Sequence, residues 1–347
     1  MKVGFIGLGK LGRDAAEVLS EKHEVTGYDP NINIPELSGT LQEACKDKDV
    51  VLVAVQTPHD KMYGGEKPTS HLPPKDFDYS YLIQAVKDVD EQVDEGTLIS
   101  VISTVLPGTV REKILPLIKR GKFIYNPYLI AQGTVKWDMR NPEMIMIGTS
   151  TGKEDEQSQM LRNLYDPILN KETRYEIGTW EEIEAVKVFY NTFITAKLCL
   201  VNMIQDVAIR VGNMNVDVVT NALKHSTQRI MGPAYMMAGF GDGGACHPRD
   251  NIALRHMASK YNLGYDLFDS IMHVREEQAA NMAKYVLEYD MDVVILGKAF
   301  KPGIEQTIGS PSMLVGYYIK AFDSTKNVYY DKAPDESAYT YLIHDKG

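Results

Sequence analysis

The chain has 347 residues, of which 44% are apolar, and carries a formal net charge of −10 at pH 7. This length suffices for about two domains with cores of their own. The acidic balance argues against a nucleic-acid-binding surface, because neutralising phosphates requires clustered lysine and arginine. No apolar run approaches the roughly 20 residues of a membrane span, and a glycine turn comes too early for a signal peptide. We therefore expect a cytoplasmic protein that binds neither membranes nor nucleic acid.

The three cysteines lie far apart, and none has the spacing of a metal ligand with another cysteine or a histidine. We therefore predict neither a disulfide framework nor a metal site. Cys45 and Cys199 fall in helical patterns and are expected to be small core residues. Cys246 lies in a different setting, which is taken up below.

A glycine-rich turn follows the first predicted strand, Lys2–Ile6, and opens into a helical run. In a Gly-x-Gly-x-x-Gly pattern the first glycine makes the tight turn, the second lets a pyrophosphate approach, and the third lets helix and strand pack. The pattern alone is weak, but its place between a strand and a helix strengthens it. The alternative is a turn that binds no ligand. The residues expected to bind a dinucleotide here are Gly7, Gly9, Lys10, Leu11 and Gly12.

A second strand, Glu24–Tyr28, ends in Asp29. A carboxylate at this point accepts hydrogen bonds from the adenosine ribose hydroxyls and repels a 2′-phosphate. We therefore predict that the cofactor is NAD and that NADP is disfavoured.

Strands and helices continue to alternate after Asp29. Apolar strands are predicted at residues 50–55 and 98–102 and near Phe123 and Met144, with helices over 79–93 and after Pro107. This alternation predicts an α/β fold, a Rossmann-type doubly wound parallel sheet covered on both faces. Ligands of such folds bind at the carboxyl ends of the strands.

Hydroxyl side chains follow two of these strands. Thr57 and Pro58 follow the strand over 50–55, and Ser103 and Thr104 follow the strand over 98–102. From the residues alone, we interpret these hydroxyls as caps of the next helices.

A single long helix is predicted over residues 181–211, which contain no proline or glycine and repeat apolar residues at helical spacing. Residues 186–201 are apolar on several sides, which favours a subunit interface. Lys187 and Asn191 interrupt this zone and share one helix face. A lysine in apolar surroundings is costly unless it is paired or functional. The alternative is a lysine that extends its ammonium group into solvent and an asparagine on the helix surface.

The densest glycine segment, residues 239–250, presents Cys246 beside Arg249 and Asp250. Glycines allow positive φ angles and a close approach of substrate, and a nearby arginine favours the nucleophilic thiolate. The segment predicts a reactive thiol, and the alternative is a surface loop with a buried cysteine. Beyond it, Val293–Leu296 and residues 328–330 are the two clear strands of a further α/β unit.

These motifs, in this order, resemble the UDP-glucose/GDP-mannose dehydrogenase family over residues 1 to about 312. The resemblance rests on the amino-terminal glycine turn, Val55-Gln-Thr57-Pro58, Ser103-Thr104-Val-Leu-Pro-Gly, Asn126-Pro127, Glu184-x-x-Lys187-x-x-x-Asn191, Arg229-Ile, the Cys246 loop, and Gly297-x-Ala-Phe300-Lys301-Pro with Ser310-Pro311.

The resemblance implies two successive NAD-dependent oxidations of a nucleotide-sugar C6 hydroxyl to a carboxylate, through a thiohemiacetal and a thioester. It assigns the nucleophile to Cys246, oxyanion stabilisation to Lys187 and Asn191, and the positioning or activation of water to Asp250 and Thr104. It adds Thr57, Pro58 and Thr104 to the cofactor site. The substrate-binding residues that it implies are Lys187, Asn191, Arg229, Gly241, Gly243, Phe300 and Lys301.

The resemblance also implies a homodimer formed by the long helix, in which Arg229 reaches the substrate of the neighbouring subunit. The expected domains are an NAD-binding Rossmann-type domain over 1–178, a central helical dimerisation and catalytic domain over 179–289, and a shortened nucleotide-sugar-binding α/β domain over 290–347.

Three positions depart from the family pattern. Tyr128 and Gln132 stand where the family has glutamates, one of them a candidate base for thioester hydrolysis, and Ile308 replaces an arginine. Two alternatives therefore stay open. One is a family member that binds NAD or a nucleotide-sugar with impaired turnover, and the other is a two-electron dehydrogenase of the β-hydroxyacid type, which needs no cysteine. The base and the sugar of the substrate also stay open.

Overall fold

The structure is a computed structural model that describes residues 1–58, 62, 68–232, 246–289, 291–299, 305 and 307–331. Contacts divide the chain into two units, Met1–Ala196 and Lys197–Gly347. Four of the expected substrate residues, Gly241, Gly243, Phe300 and Lys301, lie outside the described residues.

The amino-terminal unit is built on a seven-stranded sheet with the order β2-β1-β3-β4-β5-β6-β7. The strands are β1 (Lys2–Ile6), β2 (Glu24–Tyr28), β3 (Val50–Val53), β4 (Leu98–Val101), β5 (Lys122–Tyr125), β6 (Ile145–Thr149) and β7 (Tyr175–Thr179). The first five are parallel, which confirms the predicted Rossmann-type sheet.

The last two strands run against that direction. β6 is antiparallel to β5, through the pair Tyr125 and Gly148, while β7 is parallel to β6. The predicted parallel sheet is confirmed for β1 to β5, and the reversal at this edge was not anticipated. An apolar strand that is buried on both faces has the same pattern in either direction, so its residues do not encode which way it runs.

Helices cover both faces of this sheet. They are α1 (Gly12–Ser20), α2 (Leu41–Cys45), α3 (Ser80–Gln92), α4 (Val135–Arg140) and α5 (Glu156–Tyr165), with a π-helical turn at Val110–Ile114. Alternate strand residues point to opposite faces. Phe5 and Leu52 accordingly pack in one core, and Ile6 and Val53 in the other.

The long helix α6 spans Trp180–Val211, 32 residues, which confirms its prediction. The carboxy-terminal unit contains its end and α7 (Val216–Lys224), α8 (Cys246–Lys260), α9 (Leu267–Leu287), β8 (Val293–Leu296), α10 (Pro311–Phe322) and β9 (Val328–Asp331). β8 and β9 pair in parallel, as the two predicted strands. The core of this part contains Ala283 of α9, Ile295 of β8 and Ile319 of α10.

Apolar side chains cover much of the exposed surface of α6. Phe189, Phe193 and Leu198 are each more than half exposed. By length and composition α6 is apolar enough to cross a membrane, contrary to our expectation that no segment would be, because its polar residues are few and scattered. Cys199 is exposed on this helix, so its prediction as a core residue was wrong, whereas Cys45 is buried as expected.

Candidate active site

The three glycines of the first turn differ in what a Cβ would meet at each position. Gly7 has φ 101°, and a Cβ there would lie 2.6 Å from the Ala54 carbonyl oxygen. At Gly12 a Cβ would lie 1.9 Å from the Gly7 carbonyl oxygen, so only glycine lets α1 begin against the turn. A Cβ on Gly9 would meet nothing within 4 Å. The turn is therefore tight on two sides and open above Gly9, which fits a diphosphate that approaches the backbone before the amino terminus of α1.

Asp29 holds this turn to the end of β2. Its Oδ2 accepts a hydrogen bond from the Leu8 amide at 3.0 Å, and its Oδ1 accepts one from the Asn31 amide at 2.8 Å. Each carboxylate oxygen has a second lone pair, so the side chain retains capacity for ribose hydroxyls. The sequence predicted the ribose role and did not predict the structural one, which depends on a tertiary contact.

The loops after β3 and β4 are tied together by their hydroxyls. Ser103 Oγ donates to the Val55 carbonyl at 2.5 Å, and Thr57 Oγ1 donates to the Thr104 carbonyl at 2.7 Å. The interpretation of these two hydroxyls as helix caps was therefore wrong, because their acceptors lie across the sheet edge, some fifty residues away. The ties place Thr57 and Thr104 side by side at the carboxyl edge of the sheet.

Glu184 joins α6 to the loop after β4. The residue is fully buried, and its carboxylate accepts hydrogen bonds from the amides of Gly108 at 2.6 Å and Val110 at 2.7 Å. Burial raises the pKa of this carboxyl, although the two amide donors act in the opposite direction. In the sequence, Glu184 was noted only as one position of the motif that carries the resemblance. The motif did not predict its contact with the loop after β4.

Lys187 lies one helical turn after Glu184 and reaches the loop after β5. Its Nζ donates to the Tyr128 carbonyl at 2.6 Å. The side chain is half-buried, and burial lowers its pKa from the ordinary value of 10.5. The ammonium is thus held by a backbone carbonyl and does not extend into solvent, and α6 brings it to the carboxyl edge of the sheet.

Tyr128, which stands where the resemblance expects a glutamate, faces the interior. Its hydroxyl is 2.7 Å from the Tyr165 hydroxyl, which donates to Asn126 Oδ1 at 2.5 Å. Burial raises the pKa of Tyr128. Gln132, at the second such position, is exposed. Tyr128 therefore belongs to a buried hydrogen-bonded chain.

In the carboxy-terminal unit, Cys246 is the first residue of α8 and is exposed, so the alternative of a buried cysteine was wrong. Arg249 pairs with Asp250 at 2.8 Å. The pKa of Arg249 is raised, chiefly by its hydrogen bond to Asp250 and then by the charges of Asp250 and Cys246. The start of α8 thus places an arginine and a carboxylate near the thiol.

The structure thus assembles two groups of predicted residues. In the amino-terminal unit, hydrogen bonds connect the Thr57 and Thr104 loops, Glu184, Lys187 and Tyr128, and Asn191 lies exposed one turn beyond Lys187. In the carboxy-terminal unit, Cys246, Arg249 and Asp250 share the first turn of α8, and Arg229 is exposed.

Comparison with known proteins decides the family. The family model for the NAD binding domain of the UDP-glucose/GDP-mannose dehydrogenase family matches residues 34–169, and the model for its central domain matches residues 181–277, together more than half of the chain. The chain belongs to the UDP-glucose/GDP-mannose dehydrogenase family. NAD is its cofactor, as Asp29 predicted, and the open turn at Gly9 fits that cofactor.

Individual members of the family are distant in sequence. GDP-mannose 6-dehydrogenase of Pseudomonas aeruginosa is 29% identical, over 95% of this chain and 82% of the relative. UDP-glucose 6-dehydrogenase of Rickettsia typhi is 26% identical, over 80% of this chain. A crystal structure of the Pseudomonas aeruginosa GDP-mannose dehydrogenase superposes with a TM-score of 0.81 at 24% identity, covering 95% of this chain and 80% of that one, which shows a common fold.

The chain spans only part of several relatives. It matches 64% of the length of the Rickettsia typhi protein and 57% of the UDP-glucose 6-dehydrogenase of Rickettsia felis.

Proposed function

We propose that this protein is an NAD-dependent nucleotide-sugar 6-dehydrogenase, which oxidises the C6 hydroxyl of a nucleotide-sugar to a carboxylate in two hydride transfers. The observation that carries the proposal is the position of Lys187. Within the family's fold, it is a half-buried ammonium at the sheet edge where the glycine turn, Thr57 and Thr104 also lie.

The residues have separate roles in the proposed reaction. The Gly7 to Gly12 turn would hold NAD, which would supply the hydride acceptor for both oxidations. Cys246 adds its thiol across the aldehyde carbonyl to give a thiohemiacetal, and loss of the second hydride converts this adduct to a thioester. Water then cleaves the thioester, which releases the carboxylic acid and regenerates the thiol. Each product molecule therefore requires two NAD and one water.

Charge and water are controlled by other groups. The Lys187 ammonium and the Asn191 amide stabilise the oxyanion that develops at each tetrahedral stage, because preorganised donors aimed at developing charge stabilise it. Asp250 and Thr104 position the water. Arg249 pairs with Asp250 at 2.8 Å and so holds the Asp250 carboxylate on the first turns of α8.

We further propose the three-part organisation 1–178, 179–289 and 290–347, and a homodimer. The exposed apolar face of α6, with Phe189, Phe193 and Leu200, supports the proposal of a homodimer. Apolar area of this extent is normally covered, and a second copy of α6 covers it with a surface of the same kind. Arg229, the substrate residue of the neighbouring subunit, and Lys301 belong to the substrate site in this proposal.

The test is a panel of nucleotide-sugars assayed with NAD. We expect one of UDP-glucose, GDP-mannose or the UDP-N-acetylhexosamines to give two NADH per sugar oxidised, together with the uronic acid. Cys246→Ser should lose acid formation, and Cys199→Ser, at the other exposed cysteine, should retain it.

The alternatives give different stoichiometries. One NADH per substrate and no dependence on Cys246 would identify a two-electron dehydrogenase. Tight binding of a nucleotide-sugar with no NADH formed would identify a binding protein, and four-electron turnover by Cys246→Ser would exclude the covalent route.

A further inference from the structure

Buried and part-buried hydrogen bonds connect the sheet to the Tyr128 side chain, and the backbone of the same residue binds the Lys187 ammonium. Asn126 Nδ2 donates to the Met146 carbonyl in β6 at 2.7 Å, and Asn126 Oδ1 accepts from the Tyr165 hydroxyl at 2.5 Å. The Tyr165 hydroxyl is 2.7 Å from that of Tyr128, whose backbone carbonyl accepts from Lys187 Nζ at 2.6 Å. Each link is short enough to be a strong hydrogen bond.

These hydrogen bonds are anchored at their inner end. Asn126 is fully buried, and Tyr165 is 3% exposed at the end of α5. The Tyr128 and Tyr165 rings also meet edge to face, with centroids 6.1 Å apart. Buried polar groups of this kind are costly when they lose a partner, so the network admits few alternative arrangements.

Tyr128 links the two ends because it contributes both its side chain and its carbonyl. Its hydroxyl fixes the side chain to Tyr165, and Pro127, with its restricted φ, precedes it directly. Because the ring is held, fewer backbone positions are open to Tyr128, and its carbonyl is restricted in turn. The position of that carbonyl determines where the Lys187 ammonium lies.

We propose that Tyr165 is a positioning residue for Lys187, which acts through the side chain and carbonyl of Tyr128. Tyr165 does not touch substrate or cofactor in this proposal. Its hydroxyl sets the place from which the Lys187 ammonium meets the reacting oxygen. The effect on turnover rests on the proposed function, whereas the effect on the ammonium itself does not.

The first experiment requires no turnover. The rate of acetylation of individual lysines by an N-hydroxysuccinimide ester is measured by mass spectrometry for the wild type, Tyr165→Phe and Tyr175→Phe. Tyr175 is a matched control, since its hydroxyl donates to Asp166 at 2.6 Å in the same unit. Lys136, paired with Glu17, is the internal reference. We expect Lys187 to be labelled about fivefold faster in Tyr165→Phe alone, the effect of losing roughly one hydrogen bond.

The second experiment is a double-mutant cycle on kcat. Tyr165→Phe should lower kcat by about tenfold or more, since small displacements of a catalytic group are costly, with the Kd of NAD unchanged. In a Lys187→Ala background the same change should have no further effect. If Tyr165→Phe does not fold, Tyr128→Phe replaces it, because that variant retains the bond from Tyr165 to Asn126.

The outcomes separate the two proposals. Unchanged labelling of Lys187 in Tyr165→Phe, or an equal loss of kcat with and without Lys187, would overturn the positioning role. Faster labelling in a protein that oxidises no nucleotide-sugar would support the positioning role and overturn the proposed function.

Discussion

Gly9 and Gly12 belong to the same turn, but substitution of Gly9 should weaken NAD binding, whereas substitution of Gly12 should lower stability. Gly9→Ala places a methyl group in open space, so we expect an unchanged melting temperature and NAD binding that is weaker by about tenfold or more, because the methyl group occupies the place of the diphosphate. Gly12→Ala forces a Cβ to within 1.9 Å of the Gly7 carbonyl, so we expect a loss of about 1–3 kcal/mol in unfolding free energy.

Thermal melts and NAD titrations of both variants measure this difference. Wild-type NAD affinity in Gly9→Ala would show that the diphosphate does not approach the backbone at that residue.

Lys187 should limit the reaction at high pH. Burial lowers its pKa below 10.5, and only the protonated amine stabilises an oxyanion, so kcat should fall as pH rises through the lowered pKa. Lys187→Arg keeps its charge, so its alkaline limb should move to higher pH. Lys187→Ala should lose about 10²-fold or more in kcat.

The pH profiles of kcat for the three proteins give the comparison. If kcat falls over the same alkaline pH range in wild type and in Lys187→Arg, the fall is due to another group. The shift also affects folding: the unfolded chain binds this proton more tightly, so the contribution of Lys187 to stability rises with pH between its lowered pKa and 10.5.

At the scale of elements, α6 anchors the loop after β4 through Glu184. Glu184→Gln leaves one acceptor oxygen for two amides, of which that of Val110 is buried, so we expect a loss of about 1–3 kcal/mol in unfolding free energy. Because the pKa of Glu184 is raised above 4.5, the folded state binds this proton more tightly than the unfolded state. The contribution of the carboxyl to stability therefore falls as pH rises from 4.5 through the raised pKa.

The difference in unfolding free energy between wild type and Glu184→Gln should therefore become smaller as pH rises from 4.5. Urea unfolding across this range measures it, with Glu156→Gln, which breaks an exposed ion pair with Lys122, as a control of little effect. A difference that widens with pH would mean that the two amides, and not burial, dominate the pKa.

The loop after β5 should determine the slowest step. It lacks the family's glutamates, and the hydroxyl of Tyr128 is engaged by Tyr165, so this loop supplies no base for thioester hydrolysis. A general base is typically worth 10²–10⁴-fold. We expect a burst of NADH, about stoichiometric with active sites, then a slow steady state, and a Gln132→Glu variant with a faster slow phase.

Stopped-flow measurement of NADH, with intact-protein mass spectrometry for an acyl group on Cys246, checks this prediction. A linear progress curve without an adduct would show that Asp250, Thr104 or another group already provides the base.

Much of the fold could be predicted because its signals are local. The glycine turn, the apolar strands and the uninterrupted α6 each depend on neighbouring residues. β6 was predicted as a strand but not its direction, and β7 was not predicted at all, because Tyr175–Thr179 alternates with charged and small residues. The site contacts are long-range: Ser103 to Val55, Glu184 to Gly108, and Tyr128 to Tyr165 each join separate segments, so no spacing rule in the sequence could reveal them.

At the scale of the whole molecule, the apolar face of α6 should determine the assembly. Phe189→Glu combined with Phe193→Glu should convert a dimer to monomers, because two charges per subunit would be desolvated in the interface. Tyr81→Glu, at a similarly exposed position on α3, should leave the dimer intact.

Light scattering coupled to size-exclusion chromatography gives the masses. A wild-type monomer would remove the proposed interface. Co-flotation of the wild type with lipid vesicles, lost in the double variant, would instead assign the face to a membrane.

The cross-ties between Ser103 and Val55 and between Thr57 and Thr104 have a thermodynamic consequence for cofactor binding. They join the loops after β3 and β4 within the protein itself, and Asp29 does the same for the glycine turn. A site whose backbone is already ordered loses little conformational entropy when a ligand arrives. These loops should therefore change little in conformation when NAD binds. Most of the conformational entropy lost on binding should be that of the dinucleotide.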